Sequence, residues 1–432
     1  MTGVNTVLYA ASTYMLVPLL LDHLGHERYG LWVNLGSVLA WLTLLDLGIT
    51  NGIVVRLTTA LANSDAGRGR AYVTSAFWLL SIIASSTAFA AWFVVPWIDW
   101  QSVLRIGSPR SAAEFGDSIY LLAGLLLITL PCALVSRILL AMQKGYLAGA
   151  LGIFYTVASV GGVLIAIRLD AGLFGIVLGY FGGQAIATFA SSLAVFCRSA
   201  RAVAPRWPST RMRFSGMSDA ALPFFLMQLS TLLLFQSGDL IISRVLGPEF
   251  VAPYKIAALL FYPITIPQQL LCAHLWAVVG EANARNDVDW IRRALRRVVL
   301  TSLLIGIPIV SALTIFAEPL VNAWTGGTAM PSTSLLVWMA AWTILQLAFQ
   351  PLVAFLIGMG AVRIYAYWNL AAAMTAVLLA LIFVGTYGSS AVVAAMVVAV
   401  GALSLVPAMV FVRRKLRLRA EPPARKAMLM PT

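Results

Sequence analysis

The chain has 432 residues, 61% of them apolar and only 10% charged, with a formal net charge of +13 and a mean hydropathy of +0.90. That excludes an ordinary soluble domain, where roughly 45–50% apolar and about 25% charged residues are the norm. At about 20 residues per bilayer crossing, roughly 264 apolar residues supply a dozen crossings.

Apolar stretches bounded by charge, glycine or proline predict twelve spans, at approximately 4–22, 30–55, 72–98, 118–143, 146–167, 171–197, 220–246, 251–279, 298–317, 333–359, 364–386 and 391–412. The first run has no Lys or Arg ahead of it. It therefore lacks the charged segment of a secretory signal and reads as a retained span. Span 6 carries Gly172, Gly175, Gly179, Gly182 and Gly183, a small-residue stripe that permits close helix contact. Span 8 contains Pro263 and Pro267, which remove two backbone hydrogen bonds and should kink or break it. The segment 287–297, DVDWIRRALRR, reads equally as an interfacial amphipathic helix or a solvated loop. The tail VRRKLRLRA reads first as a topogenic stop, with headgroup binding as the alternative.

Basic residues stay on the cytoplasmic side of a bilayer. With the N-terminus there, one face collects the basic groups at 56–70, 137–144, 198–213, 285–297, Arg363 and 413–426, which hold 23 of the 29 basic residues. Both termini are expected to be cytoplasmic. The positive charge is then a topology label rather than a sign of nucleic acid.

An internal repeat organises the whole. After span 1 the chain reads LGHERYGLW, Leu24 to Trp32, and after span 7 it reads LGPEFVAPY, Leu246 to Tyr254. An even number of spans separates the copies, so the halves share one orientation. The expected fold is all-α and polytopic, with about twelve transmembrane helices in two six-helix bundles related by a pseudo-twofold axis along the membrane normal. The organisation is an N-terminal bundle over 1–197, a basic cytoplasmic linker over 198–219, a C-terminal bundle over 220–412 and a basic cytoplasmic tail over 413–432.

Ionisable groups at membrane depth are costly, which makes each a functional candidate. Asp46, about 15 residues and roughly 22 Å into span 2, is followed by Gly48, Thr50 and Asn51. It can accept a proton or sodium ion, or it can cap a helix interruption. In span 7, Gln228, Gln236, Asp239 and Ser243 fall within about 80° of arc on a continuous helix. That stripe lines a cavity or makes interhelical hydrogen bonds. Arg244, Lys255 and Arg137 can meet a phosphate or snorkel to the interface. His274 reads as a hydrogen-bonded helix contact. Span 10 places Trp338, Trp342, Gln346 and Gln350 at four-residue steps, a surface suited to sugar, where rings cover apolar sugar faces and amides bond hydroxyls. Interfacial anchoring of the tryptophans is an equal reading.

Soluble-enzyme chemistry is not visible. The sequence has no phosphate-binding glycine loop and no H-E-x-x-H, and its three cysteines, Cys132, Cys197 and Cys272, have no paired spacing. Neither a cofactor nor a catalytic or metal-ligating residue is expected.

The order VPLLLDHLGHERYGLW, Val17 to Trp32, then LLDLGITNG, Leu44 to Gly52, resembles the N-terminal signature of the bacterial polysaccharide flippases. These belong to the multidrug/oligosaccharidyl-lipid/polysaccharide exporter superfamily. The resemblance covers the topology of all twelve spans, and its sequence-specific part is spans 1 and 2 with the echo after span 7. It implies a V-shaped inner-membrane protein whose central cavity, lined by spans 1, 2, 7 and 8, alternates between the membrane faces. It also implies an O-antigen or exopolysaccharide repeat unit on polyprenyl diphosphate as substrate, flipped to the periplasmic leaflet. On that reading Arg244, Lys255 and Arg137 attract phosphate, Gln228, Gln236, Gln346 and Gln350 line the cavity, and Asp46 or Asp239 couples to an ion gradient. These roles follow depth and charge. The expected partners are the lipid-linked oligosaccharide, membrane lipid and a polysaccharide polymerase or ligase. The alternatives are a cation-coupled multidrug exporter of the same fold and, behind it, a membrane glycan ligase or polymerase using Glu114 and Asp117. The chain departs from the usual pattern in its short, uncharged N-terminus.

Overall fold

The computed structural model describes residues 2–46, 48–207 and 218–420. Among them the chain is helical and has no strand. A bilayer offers no water to backbone groups, so a span must close its hydrogen bonds within itself. The helices are α1 Thr2–Leu42, α2 Ile49–Ala62, α3 Ala66–Val94, α4 Trp100–Leu104, α5 Pro109–Cys132, α6 Leu134–Ala141, α7 Gly145–Arg168, α8 Leu173–Val177 and α9 Gly183–Cys197. They continue with α10 Ser218–Phe235, α11 Ser237–Val245, α12 Val251–Ala284, α13 Val288–Ile315, α14 Ala317–Thr325, α15 Thr333–Gly358, α16 Val362–Tyr387, α17 Ser390–Val400 and α18 Val406–Ala420.

Eleven helical segments of the described residues are long and apolar enough to cross a membrane, and the protein is a multi-pass membrane protein. The first of them, Val4–Asp46, has 43 residues. That is about 64 Å of helix, twice the ~30 Å hydrocarbon core. It is two spans, because Gly25 inside α1 has φ 73° and ψ 175°, a conformation essentially restricted to glycine. Counted so, the described residues hold twelve. The Leu-Gly repeat thereby acquires a structural meaning: Gly25 and Gly247 both take positive φ, 73° and 124°, and each turns the chain between two spans.

Two compact units form, Met1–Phe225 with Gly247–Glu249, and Leu226–Leu246 with Phe250–Thr432. In the first unit α3 packs on α5, and α1 and α9 pack on α7. The glycine stripe works here as packing: a Cβ on Gly179 would strike the Gly162 backbone, and one on Gly162 would strike Gly179. The π-helical turn Leu178–Gly182 therefore meets α7 backbone to backbone. In the second unit α12 and α13 pack along α15, and α16 packs on α17.

Several elements differ from expectation. The connection 99–117 contains α4 and the first turns of α5, and α4 begins where the Asp99 carboxylate accepts the Gln101 and Ser102 amides. Span 7 divides at Gln236 into α10 and α11. Span 8 neither ends nor breaks at its prolines: α12 runs from Val251 to Ala284 through Pro263 and Pro267. Its packing along α15 holds a helix that lacks two of its own bonds, as neighbouring elements do in membrane bundles. The segment 287–297 is neither a loop nor a separate interfacial helix. Asp287 caps it by accepting the Trp290 amide at 3.0 Å, so it becomes the first turns of α13. Span 12 passes through a π-helical turn, Gly401–Leu405, into α18, which carries the first part of the basic tail as helix. Arg211 and Arg213 of the linker, and Arg425 and Lys426 of the tail, lie outside the described residues.

Candidate functional site

The site in the second unit begins with a proline. Pro351 inside α15 has no N–H to give to the Leu347 carbonyl one turn back. The Gln268 side chain of α12 fills that place, its Nε2 donating to the Leu347 oxygen at 3.3 Å while its Oε1 accepts from the Ser302 hydroxyl of α13 at 2.7 Å. Three helices are thus tied at one level by a buried amide.

Beside this tie lies a cavity of about 360 Å³ lined by α10, α12, α15, α16 and α17. From α15 come Trp342, Gln346, Phe349 and Gln350, from α12 Gln269, Cys272 and Trp276, from α16 Tyr365 and Asn369, and from α10 Thr231 and Phe235. Trp342 meets Phe235 edge-on at 5.9 Å between ring centroids, and Tyr365 lies 6.1 Å from Phe349. No Asp, Glu, Lys or Arg lines it. Asn369 is 95% buried, from its 5% relative exposure, and its Oδ1 has no hydrogen-bond partner. A buried acceptor left unmatched costs about 1–3 kcal/mol. The cavity can recover that cost by binding a donor. Its volume is near the low end for ligand pockets, about 300–1,000 Å³, and suits one ring-sized group with apolar faces and polar edges.

Two expected residues, Gln346 and Gln350, belong to this cavity, together with Trp342. Trp338 does not line it. Sequence reasoning missed Tyr365, Asn369, Gln269 and Trp276. Tyr365 and Asn369 stand four apart in span 11, the spacing that drew attention to span 10.

Lys255 and Asp239 find each other. The Nζ of Lys255, one residue after the buried Tyr254 in α12, donates to Asp239 Oδ2 at 2.9 Å; Asp239 is fully buried and the Lys255 side chain 30% exposed. Asp239 sits in the first turn of α11, where a carboxylate complements the helix dipole. At the break Gln236 keeps helical backbone angles and its amide still donates to the Leu232 carbonyl at 2.9 Å, so Gln228, Gln236, Asp239 and Ser243 follow one another along α10 and α11. Ser237, Gly238, Asp239 and Ser243 are all buried, and Gln228 is half-buried in α10. Arg244 is exposed in the last turn of α11, a favourable place for a cation.

Asp46 and Arg137 belong to the first unit. Asp46 ends a short 3₁₀ turn, Thr43–Asp46, and its carboxylate accepts the Thr50 amide at 3.0 Å and the Thr50 hydroxyl at 2.6 Å. With Gly48 in the left-handed region, this builds the interruption inside span 2. The Asn51 side chain lies outside the described residues. Arg137 is half-buried in α6. His274 bonds the Leu270 carbonyl of its own helix at 3.2 Å. Glu114 is held by Arg28 and Arg110, each at 3.2 Å, and also accepts the Leu173 amide at 3.1 Å. That carboxylate ties α1 to the first turns of α5 and α8, and Asp117 is exposed. Among the described residues no three His, Cys, Asp or Glu side chains cluster as a metal site would require.

The MatE family model matches residues 223–382, which include the cavity lining except Val400 and the Asp239–Lys255 pair. No curated protein sequence matches the chain. Among solved structures, the inward-facing conformation of a multidrug resistance MATE family transporter of the MOP superfamily aligns over 96% of this chain and 95% of its own, at 15% identity and a TM-score of 0.78. The chain has the MATE transporter fold. An outward-facing multidrug resistance MATE transporter aligns over 98% and 96% at 16% identity and a TM-score of 0.65. A MOP superfamily transporter from Pyrococcus furiosus, described as having a binding pocket of reverse polarity, aligns over 97% of each chain at 15% identity and a TM-score of 0.59.

Proposed function

We propose that the protein is an alternating-access transporter that flips a polyprenyl-diphosphate-linked oligosaccharide, an O-antigen or exopolysaccharide repeat unit, from the cytoplasmic to the periplasmic leaflet of a bacterial inner membrane, with both termini cytoplasmic. The observation that carries this reading is the cavity in the second unit, whose aromatic rings and amides are uncharged and include the unmatched Asn369 acceptor. A sugar ring has apolar faces for Trp342 and Tyr365 and hydroxyls for Gln346, Gln350 and Asn369. The Asp239–Lys255 pair supplies the coupling: a proton or cation captured by Asp239 leaves the Lys255 ammonium to attract a substrate phosphate. Binding and movement, rather than bond making, are the tasks assigned, and a glycan polymerase or ligase is the partner that uses the product.

The comparisons support a cation-coupled multidrug exporter equally well, through the multidrug resistance transporters that share the fold. The absence of any carboxylate from the cavity lining favours the sugar over an organic cation.

Reconstitution separates the two readings. Proteoliposomes carrying a fluorescent polyprenyl-diphosphate oligosaccharide should lose half-sided accessibility of the label, and Asn369→Leu or Gln346→Leu should slow that loss. Ethidium transport without movement of the glycolipid, unaffected by the same variants, would overturn the proposal in favour of the exporter.

A further inference from the structure

Two basic stretches far apart in sequence meet in the second unit. Arg292 and Arg296, one turn apart near the start of α13, and Arg413 and Arg414, midway along α18, line one groove of about 890 Å³. Its walls are apolar, with Leu352 of α15 and Met409 of α18 among them, and no acid lines it. All four arginines are exposed, and among the described residues none is in an ion pair. Four like charges around one apolar groove repel each other and call for an external anion.

The groove is built rather than incidental. Lys415, the third basic residue of the same run, is turned away to cap α15: its Nζ donates to the Met359 carbonyl at 2.8 Å and lies 5.7 Å from the Phe411 ring centre. That bond fastens α18 to the C-terminal end of α15 and leaves Arg413 and Arg414 to the groove. The depth is also set. From Ile315 at the far end of α13, Arg296 and Arg292 lie about 29 and 35 Å along the axis at 1.5 Å per residue. A hydrocarbon core of about 30 Å places both guanidinium groups at the headgroup boundary, with Leu352 and Met409 among the walls below them. Arginine forks match phosphate oxygens, and basic pockets between transmembrane helices recruit anionic headgroups.

We propose that this groove holds one anionic phospholipid of the adjoining leaflet, its phosphate gripped by Arg292, Arg296, Arg413 and Arg414 and an acyl chain laid against Leu352 and Met409. The site is independent of whichever substrate the protein transports.

Native mass spectrometry of the full chain in detergent tests it, with phosphatidylglycerol and phosphatidylcholine of matched chains as probes and inorganic phosphate as a soluble competitor. One phosphatidylglycerol should stay bound where phosphatidylcholine does not, and millimolar phosphate should not displace it. At about one factor of five per basic residue, Arg292→Gln/Arg296→Gln and Arg413→Gln/Arg414→Gln should each weaken retention by roughly thirtyfold. Leu352→Trp, which fills the groove and keeps every charge, should also reduce it. Size-exclusion profiles matching the unmodified protein show that each variant folds, and the two double variants sample the site separately should one of them fail. Equal retention of both lipids, or retention unchanged by both double variants, would overturn the proposal. Displacement by phosphate would overturn it too, by making the groove a site for soluble anions.

Discussion

Lys255→Met is the sharpest test of how the second unit is held together. It removes the partner of a carboxylate that is fully buried and 2.9 Å from its ammonium. Removing one member of a buried pair costs about 3–5 kcal/mol, because the remaining buried charge loses its counter-ion. The reverse change, Asp239→Asn, leaves Lys255 with 30% of its side chain exposed, able to extend along its aliphatic stem toward water. Part of the penalty is then relieved, and the cost should fall to about 1–2 kcal/mol. The double variant Asp239→Asn/Lys255→Met strands no charge and should cost less than the sum of the singles by about 2–4 kcal/mol, within the range of contact pairs in double-mutant cycles or just above it. Unfolding by SDS in mixed micelles, followed by tryptophan fluorescence, measures all three. The reasoning is refuted if Asp239→Asn proves as damaging as Lys255→Met, or if the two costs add.

Four further expectations can be checked with the same material. Gln268→Leu orphans the Leu347 carbonyl that Pro351 already leaves unserved, costing about 1–3 kcal/mol; Pro351→Ala in that background restores an N–H, and SDS unfolding should show most of the loss recovered. Gly25→Ala forces a side chain into φ 73°, ψ 175° at about 1–3 kcal/mol, whereas Gly36→Ala, at a helical glycine of the same α1 with open space around it, should be near neutral in the same assay. Gly179→Leu drives side-chain atoms into the Gly162 backbone and should cost at least the ~1–3 kcal/mol of overpacking, seen as lost folded yield. The Asp99 carboxylate is held below its ordinary 3.8 by the Ser102 hydroxyl and amide. Its folded value is the lower one, so its cap on α4 is present above pH 3.8 and disappears as the pH falls through the folded value; Ser102→Ala should move that loss toward 3.8, read by hydrogen exchange at Gln101 and Ser102.

How much of this was legible in the residues depends on the range of the interaction. The spans follow from runs of apolar residues, and the two units from a repeat whose glycines must both take positive φ. Asp46 shows the middle case. Its neighbours Gly48 and Thr50 announce a helix interruption, and the structure makes the bond to Thr50 that they permit. Span 7 shows the limit of a helical wheel, which takes one unbroken helix and so does not mark the break at Gln236 between α10 and α11.

Long-range pairings were out of reach for a different reason. Nothing in α15 names Gln268 as the donor for Leu347, since any amide on a facing helix at that height would serve, and only the packing of α12 chooses one. Arg413 and Arg292 likewise share no periodicity, being 121 positions apart. Charge at the membrane boundary is cheap to place for topology alone, so a basic run carries little information until a second run is seen to meet it. In this protein the informative observation is which cation is withdrawn: Lys415 turns to cap a helix end, Lys255 turns to a buried carboxylate, and the four arginines left facing one apolar groove have no acid in its lining and no ion pair among the described residues.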